Sequence, residues 1–199
     1  MMEKTANNFE AELPSGYVQV YHIDAKSKKT GLVLNLVSLI IMAIVMVIAV
    51  SLLSLRRGSA EKEERSLIIY GVTYVVFLIS MIAYIVLHEL VHGVAMKLCG
   101  TKKVKYGFTG LYAFAGSTDF YGKGAYIFIA LAPVVFWGII LAVITPLVNN
   151  EWFWVVYFVQ VFNLSGAAGD LFVTFKFSRF PKDILISDNG VGMIVYSKE

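Results

Sequence analysis

The chain has 199 residues, 58% of them hydrophobic, and a formal net charge of +3 at pH 7. That length suits a single domain, but apolar residues gathered in long uncharged blocks exclude an ordinary soluble one. The modest basic excess sits beside those blocks, which marks orientation in a bilayer and excludes a nucleic-acid face.

The first 30 residues are polar, and no basic segment precedes a short apolar core. The expectation is a cytoplasmic tail over 1–30 with no cleavable signal peptide, in which Gly16–Ile23 reads as a strand. About 20 apolar residues span a bilayer, and four runs qualify. Gly31–Leu55 carries no charge over 25 residues, Ser66–Leu87 none over 22 and Gly124–Asn150 none over 27, while Trp152–Phe175 contains one, Asp170. The sequence therefore predicts an all-α membrane protein of four transmembrane helices, about 31–55, 66–98, 124–148 and 152–177, forming one core over 31–177. Between the second and third spans, Lys103–Tyr106 alternates like a strand, and glycines punctuate the rest of that loop. Pro133 and Pro146 read as a kink or an end signal of the third span, and the aromatic cluster at 152–158 as an interfacial belt. The tail over 178–199 offers Ile184–Ser187 and Val191–Tyr196 around Asp188-Asn189-Gly190, a hairpin signal. These pieces predict a minor cytoplasmic β element. Eleven Lys/Arg residues flank one side of the spans (Lys26, Lys28, Lys29, Lys97, Lys102, Lys103, Lys105, Lys123, Lys176, Arg179 and Lys182), against Arg56, Arg57, Lys62 and Arg65 on the other. That asymmetry puts both termini and the 101–123 loop in the cytoplasm of a multi-pass cell-membrane protein. Cys99 is the sole cysteine, so no intramolecular disulfide forms.

The second run ends in LHELVHGVAMKLCG, residues 87–100. Histidines four apart share one helix face and can hold one ion. Neutral imidazoles suit zinc, and a glutamate after the first histidine is placed to take a proton from water on that ion. His88, Glu89 and His92 fill this pattern. Ionisable groups inside spans are unfavourable and mark function, and two of the three histidines of the chain are here. Gly93 reads as allowing close helix packing. A zinc hydrolase needs a third protein ligand. Ala95 and Leu98 stand where a metzincin would have glycine and a third histidine. Asp119 in the loop and Asp170 in the last span remain. Leu67 to His88 rises about 32 Å and Trp152 to Asp170 about 27 Å at 1.5 Å per residue. Both arrive at similar depth near the cytoplasmic side, which favours Asp170.

HELVH on a membrane helix, a Gly-rich loop, ALAP opening the next span and NLSGAAGD in a further span together resemble the site-2 protease group of intramembrane zinc metalloproteases. The closer resemblance is to small bacterial membrane proteins described as "putative zincin peptidase", over about residues 66–177. It implies that His88, His92 and Asp170 hold Zn2+, that Glu89 is the catalytic base, and that Asn163 orients substrate or stabilises the oxyanion. The other reading of Asn163 is a helix–helix hydrogen bond. The chain departs from the family pattern at Gly166, where proline is usual, at Leu171, where glycine is usual, and in an Asn-to-Asp spacing shorter by one. The expected function is an intramembrane zinc metallopeptidase that cleaves membrane-embedded or membrane-proximal polypeptide near the cytoplasmic face. Its partners are such a substrate and the lipid bilayer, with no nucleic acid. A strand in the 103–121 loop would hold the substrate extended. The rival readings are a metal or proton transporter, which would spread its ionisable groups along a path, and a non-catalytic adaptor, which has no use for Glu89.

Overall fold

The structure, a computed structural model, describes residues 9–24, 27–56, 67–110 and 112–199. Lys26, Arg57, Lys62 and Arg65, part of the charge asymmetry above, lie outside them, as do the side chains of Lys29 and Arg56. The elements run β1 (Phe9–Glu10), β2 (Tyr17–Asp24), α1 (Lys28–Arg56), α2 (Leu67–Leu98), β3 (Lys105–Phe108), β4 (Ala113–Gly116), β5 (Phe120–Gly122), α3 (Lys123–Ile144), α4 (Asn150–Gly166), α5 (Ala168–Ser178), β6 (Leu185–Asp188) and β7 (Gly192–Lys198). Four helical stretches are long and apolar enough to cross a membrane: Thr30–Ser51, Leu67–Leu98, Lys123–Ile144 and Asn150–Ser178. Their large apolar side chains are widely exposed on α1 and α2, with Leu67 at 89%. An apolar solvent makes that arrangement favourable, whereas water does not.

Two helix ends differ from the sequence reading for local reasons. The third helix stops at Ile144 instead of 148, because Pro146 disfavours helical backbone at the residue before it. The last span is two helices. Ala167, with φ −78° and ψ 15°, ends α4, and α5 starts afresh at Ala168. The break falls beside Gly166 without any proline.

The chain forms two compact units. The first comprises the described residues of 1–34 with 86–133 and 169–199. Its sheet is antiparallel in the order β1-β5-β6-β7-β2, and β3 pairs with β4 as a separate hairpin. The β element is thus larger than the sequence suggests, because both tails join β5 in one sheet. The turn between β6 and β7 is built by short polar side chains. Asp188 Oδ1 accepts from the Gly190 amide at 2.8 Å, and Asn189 Oδ1 accepts from Val191 and Gly192 at 3.0 and 2.9 Å. Gly190 supplies φ +84°, which other residues rarely adopt. The core of this unit packs Tyr121, Phe177, Ile184, Ile186 and Val195, all fully buried, against Ala95, Met96, Tyr126 and Ile129. Several of its polar groups are paired. The Tyr126 hydroxyl donates to Asp188 Oδ2 at 2.6 Å, and Ser117 Oγ lies 2.7 Å from the Tyr121 hydroxyl. Burial pushes the Asp188 carboxyl above its ordinary value, against the hydrogen bonds from Tyr126 and Gly190 that favour its ionised form.

The second unit comprises 35–85 and 134–168. The Tyr157 hydroxyl donates to the Val45 carbonyl at 2.5 Å, tying α4 to α1. Asn163, fully buried, accepts from the Tyr84 hydroxyl at 2.8 Å and donates to the Val134 carbonyl at 3.1 Å. Gly138 leaves the space, since a Cβ there would lie 3.3 Å from Asn163 Nδ2.

Gly116 is a sharp test of the first unit. A Cβ there would fall on the Asn189–Gly190 backbone, which cannot rotate away as a side chain could. Gly116→Ala should therefore destabilise the protein by about 1–3 kcal/mol, the range for overpacking. Gly124→Ala, where a Cβ meets nothing within 4 Å, should hold or raise stability as helical Gly→Ala changes do. Thermal midpoints of the two variants in one detergent check this.

Candidate metal centre

The site belongs wholly to the first unit. His88, Glu89 and His92 lie in the last three turns of α2, and their ligand atoms fall within 4.8 Å of one another. The imidazoles stand 4.9 Å apart between centroids, inclined at 77°. Asp170 meets them from the first turn of α5. Its Oδ2 is 3.3 Å from His88 Nε2 and its Oδ1 is 3.4 Å from His92 Nε2. The break at Ala167 contributes here. It starts a new helix whose first turn favours a carboxylate, through unpaired amides and the positive end of the helix dipole.

A direct ion pair and a shared metal differ in spacing. A charge-assisted N–H···O bond is about 2.7–2.9 Å long, shorter than either contact. A tetrahedral zinc with bonds of about 2.0–2.1 Å has ligand-to-ligand edges of about 3.3–3.4 Å. The observed contacts of 3.3 and 3.4 Å come from different oxygens of Asp170, which places its carboxylate where it could join the two imidazoles around a metal. The donor set, two imidazoles and a carboxylate with one position left for water, is also that of a catalytic zinc centre. His88, His92 and Asp170 side chains are 12%, 11% and 22% exposed. The histidine side is therefore closed and the carboxylate side more open.

Two backbone groups complete the arrangement, and neither is legible from sequence. His92 Nδ1 lies 2.9 Å from the Ile129 carbonyl in α3. A carbonyl only accepts, so Nδ1 carries the proton and Nε2 keeps its lone pair for a metal. On the other side, the backbone of Ala115 in β4 lies beside the Glu89 carboxylate. Gly93, one turn beyond Glu89, makes room for the Tyr106 phenol of β3, with which a Cβ would collide. The glycine serves the hairpin, where the sequence suggested a neighbouring helix.

Asp119 and Asn163 have partners within their own units. Asp119 lies in the turn between β4 and β5, where its amide donates to Ser117 Oγ at 3.1 Å. The carboxylate paired to both histidines is that of Asp170. Asn163 has its amide oxygen and nitrogen engaged by Tyr84 and Val134 in the second unit.

Comparison with known proteins adds a family. A family model described as "Putative zincin peptidase" matches residues 81–185, a stretch that contains every residue of this cluster. An "Uncharacterized 24.7 kDa protein in gap 5'region" of Pyrococcus woesei is 29% identical over 120 residues, which cover 58% of this chain and 52% of that protein. The chain thus spans about half the length of that curated relative. No solved structure matches the chain.

The cluster makes a direct claim about metal content. Purified protein should carry about one zinc per chain, as a set of three protein ligands and one water implies. Asp170→Ala should lose most of it and Asp119→Ala should keep it, measured by elemental analysis after dialysis. Loss in Asp119→Ala with retention in Asp170→Ala would reverse the assignment.

Proposed function

The chain belongs to the family described as "putative zincin peptidase", and from that membership we propose that it is a zinc metallopeptidase of the site-2 protease type. In this reading it cleaves polypeptide embedded in, or close to, a membrane. The observation that carries it is the pair of 3.3 and 3.4 Å contacts from Asp170 to His88 and His92, with Glu89 between those histidines in sequence. Four helices long enough to cross a bilayer support a multi-pass membrane protein. The Lys/Arg asymmetry supports an active site and termini facing the cytoplasm.

In the proposed reaction His88, His92 and Asp170 are the ligands. Zinc held there would supply the Lewis acidity that makes water a nucleophile near neutral pH. Glu89 receives the proton of the attacking water and delivers it to the departing amide nitrogen. The backbone of Ala115 flanks the Glu89 carboxylate, and the Ile129 carbonyl holds the His92 ring. A helical substrate must unwind, because its carbonyls are otherwise bonded and shielded. The hairpin offers a means. Among the described residues β3 and β4 pair only with each other, which leaves each a free edge. The backbone of Ala115 lies beside Glu89, so an extended segment added to β4 would run past the base. Asn163, held between Tyr84 and Val134, acts in this reading as a helix–helix clamp.

Glu89→Gln removes the base and keeps the shape. Zinc should remain, while cleavage of a co-expressed membrane substrate falls about 100-fold or more, the scale of a lost general base. His88→Ala and His92→Ala should instead lose metal and activity together. Full biological effect in a zinc-loaded Glu89→Gln protein would mean that peptide hydrolysis is not the function, and that the centre serves transport or an adaptor.

Orientation has its own test at Cys99, just past α2. Burial pushes this thiol above its ordinary value, so labelling should be slow at neutral pH and faster as pH rises. A membrane-impermeant maleimide should react only after the membrane is opened. Labelling of intact cells would place the site on the outer face.

A further inference from the structure

The far end of α5 carries a feature the metal centre does not use. Tyr21 of β2 and Phe175, Lys176, Arg179, Phe180 and Pro181 line an open surface depression of about 290 Å³. The fourth membrane-length stretch ends at Ser178, so the depression lies where the chain leaves the apolar layer. Its cations are seated on rings. Lys176 Nζ lies 4.9 Å from the Tyr21 centroid, and the Arg179 guanidinium lies 4.0 Å from that of Phe175. Such contacts position a cation by one face and leave its N–H donors available. Among the described residues the ion pairs are those of His88 and His92, and neither Lys176 nor Arg179 forms one. Nor does the helix end occupy them. Basic side chains near a C-terminus usually bond its last carbonyls, but here Lys123 does so, donating to Ser178 and Phe180 at 2.6 Å each.

Two unpaired cations, aromatic walls and a position at the edge of the apolar layer match one chemistry. We propose that this depression binds the phosphodiester headgroup of an anionic phospholipid. Lys176 and Arg179 bond the phosphate oxygens, the guanidinium through its fork of donors. Phe175, Phe180 and Tyr21 cover the glycerol and the first acyl carbons. The depression is of a size suited to a headgroup. A soluble phosphate shares the anion chemistry but has no use for the apolar walls. The inference is independent of the peptidase reading.

Full-length protein in a neutral detergent, mixed with equal amounts of phosphatidylglycerol and phosphatidylcholine, provides the test. Native mass spectrometry counts the lipid retained. Wild type should prefer phosphatidylglycerol by about tenfold or more, the scale for two basic side chains beside an anionic headgroup. K176Q/R179Q should erase that preference, and Arg179→Gln alone, at an exposed position, should reduce it even if the double variant folds poorly. K102Q/K103Q removes the same charge at two exposed lysines outside the depression and should retain it. Equal loss in K102Q/K103Q would reduce the effect to diffuse charge and overturn the proposal. So would an unchanged preference in K176Q/R179Q, or displacement of the lipid by millimolar inorganic phosphate.

Discussion

The carboxylate of Asp170 lies between two imidazoles four residues apart on an otherwise apolar helix, and the surrounding structure answers to that constraint. Withdrawing an acid and two imidazoles from water is unfavourable unless each finds a partner. The pairing demands that α2 continue well past its apolar run, to Leu98, so that His88 and His92 fall within its final turns. It also demands a fresh helix start just before Asp170. The interruption at Ala167 supplies one, at the cost of a continuous last span.

The five-stranded sheet and its core hold these helix ends in register. Phe177 of α5, Met96 of α2 and Tyr126 with Ile129 of α3 pack on the buried faces of Ile184, Ile186 and Val195. That packing brings the Ile129 carbonyl to His92, and the β3–β4 hairpin brings the Ala115 backbone to Glu89. Side chains poised by fixed backbone groups need no reorganisation when charge develops, which is the usual source of catalytic advantage in such sites. Gly116 and Gly93 permit the close approaches on which the hairpin depends.

How much of this could be read from the sequence varies with the range of the interactions. The four membrane-length stretches follow from local composition, since runs of 22 or more residues with at most one charge have few other uses. The spacing of His88 and His92 is a one-turn relation, and Asp170 stands out as the lone acid of its run. The hairpin at Asp188-Asn189-Gly190 is equally local, because its turn is closed by the side chains of those residues. Pairing of Phe9 with Tyr121, or of His22 with Ile194, is set by contacts between distant segments, and no local pattern announces it. The helix break at Ala167 lacks the proline that would have signalled it. Ile129 and Ala115 act through backbone atoms, which leave no trace in residue type. For Asn163 the sequence left two readings, substrate or oxyanion contact and a helix–helix hydrogen bond, and its amide makes hydrogen bonds to Tyr84 and Val134.

The central claim is that His88, His92 and Asp170 form one zinc centre with an open position. X-ray absorption at the zinc edge of the purified protein tests it most directly. The account predicts four light-atom ligands at about 2.0–2.2 Å, two of them with the outer-shell scattering of imidazole. It further predicts that Asp170→Asn disturbs this shell while Cys99→Ser does not. A sulfur ligand near 2.3 Å, a third imidazole from His22, or a shell untouched by Asp170→Asn would contradict it.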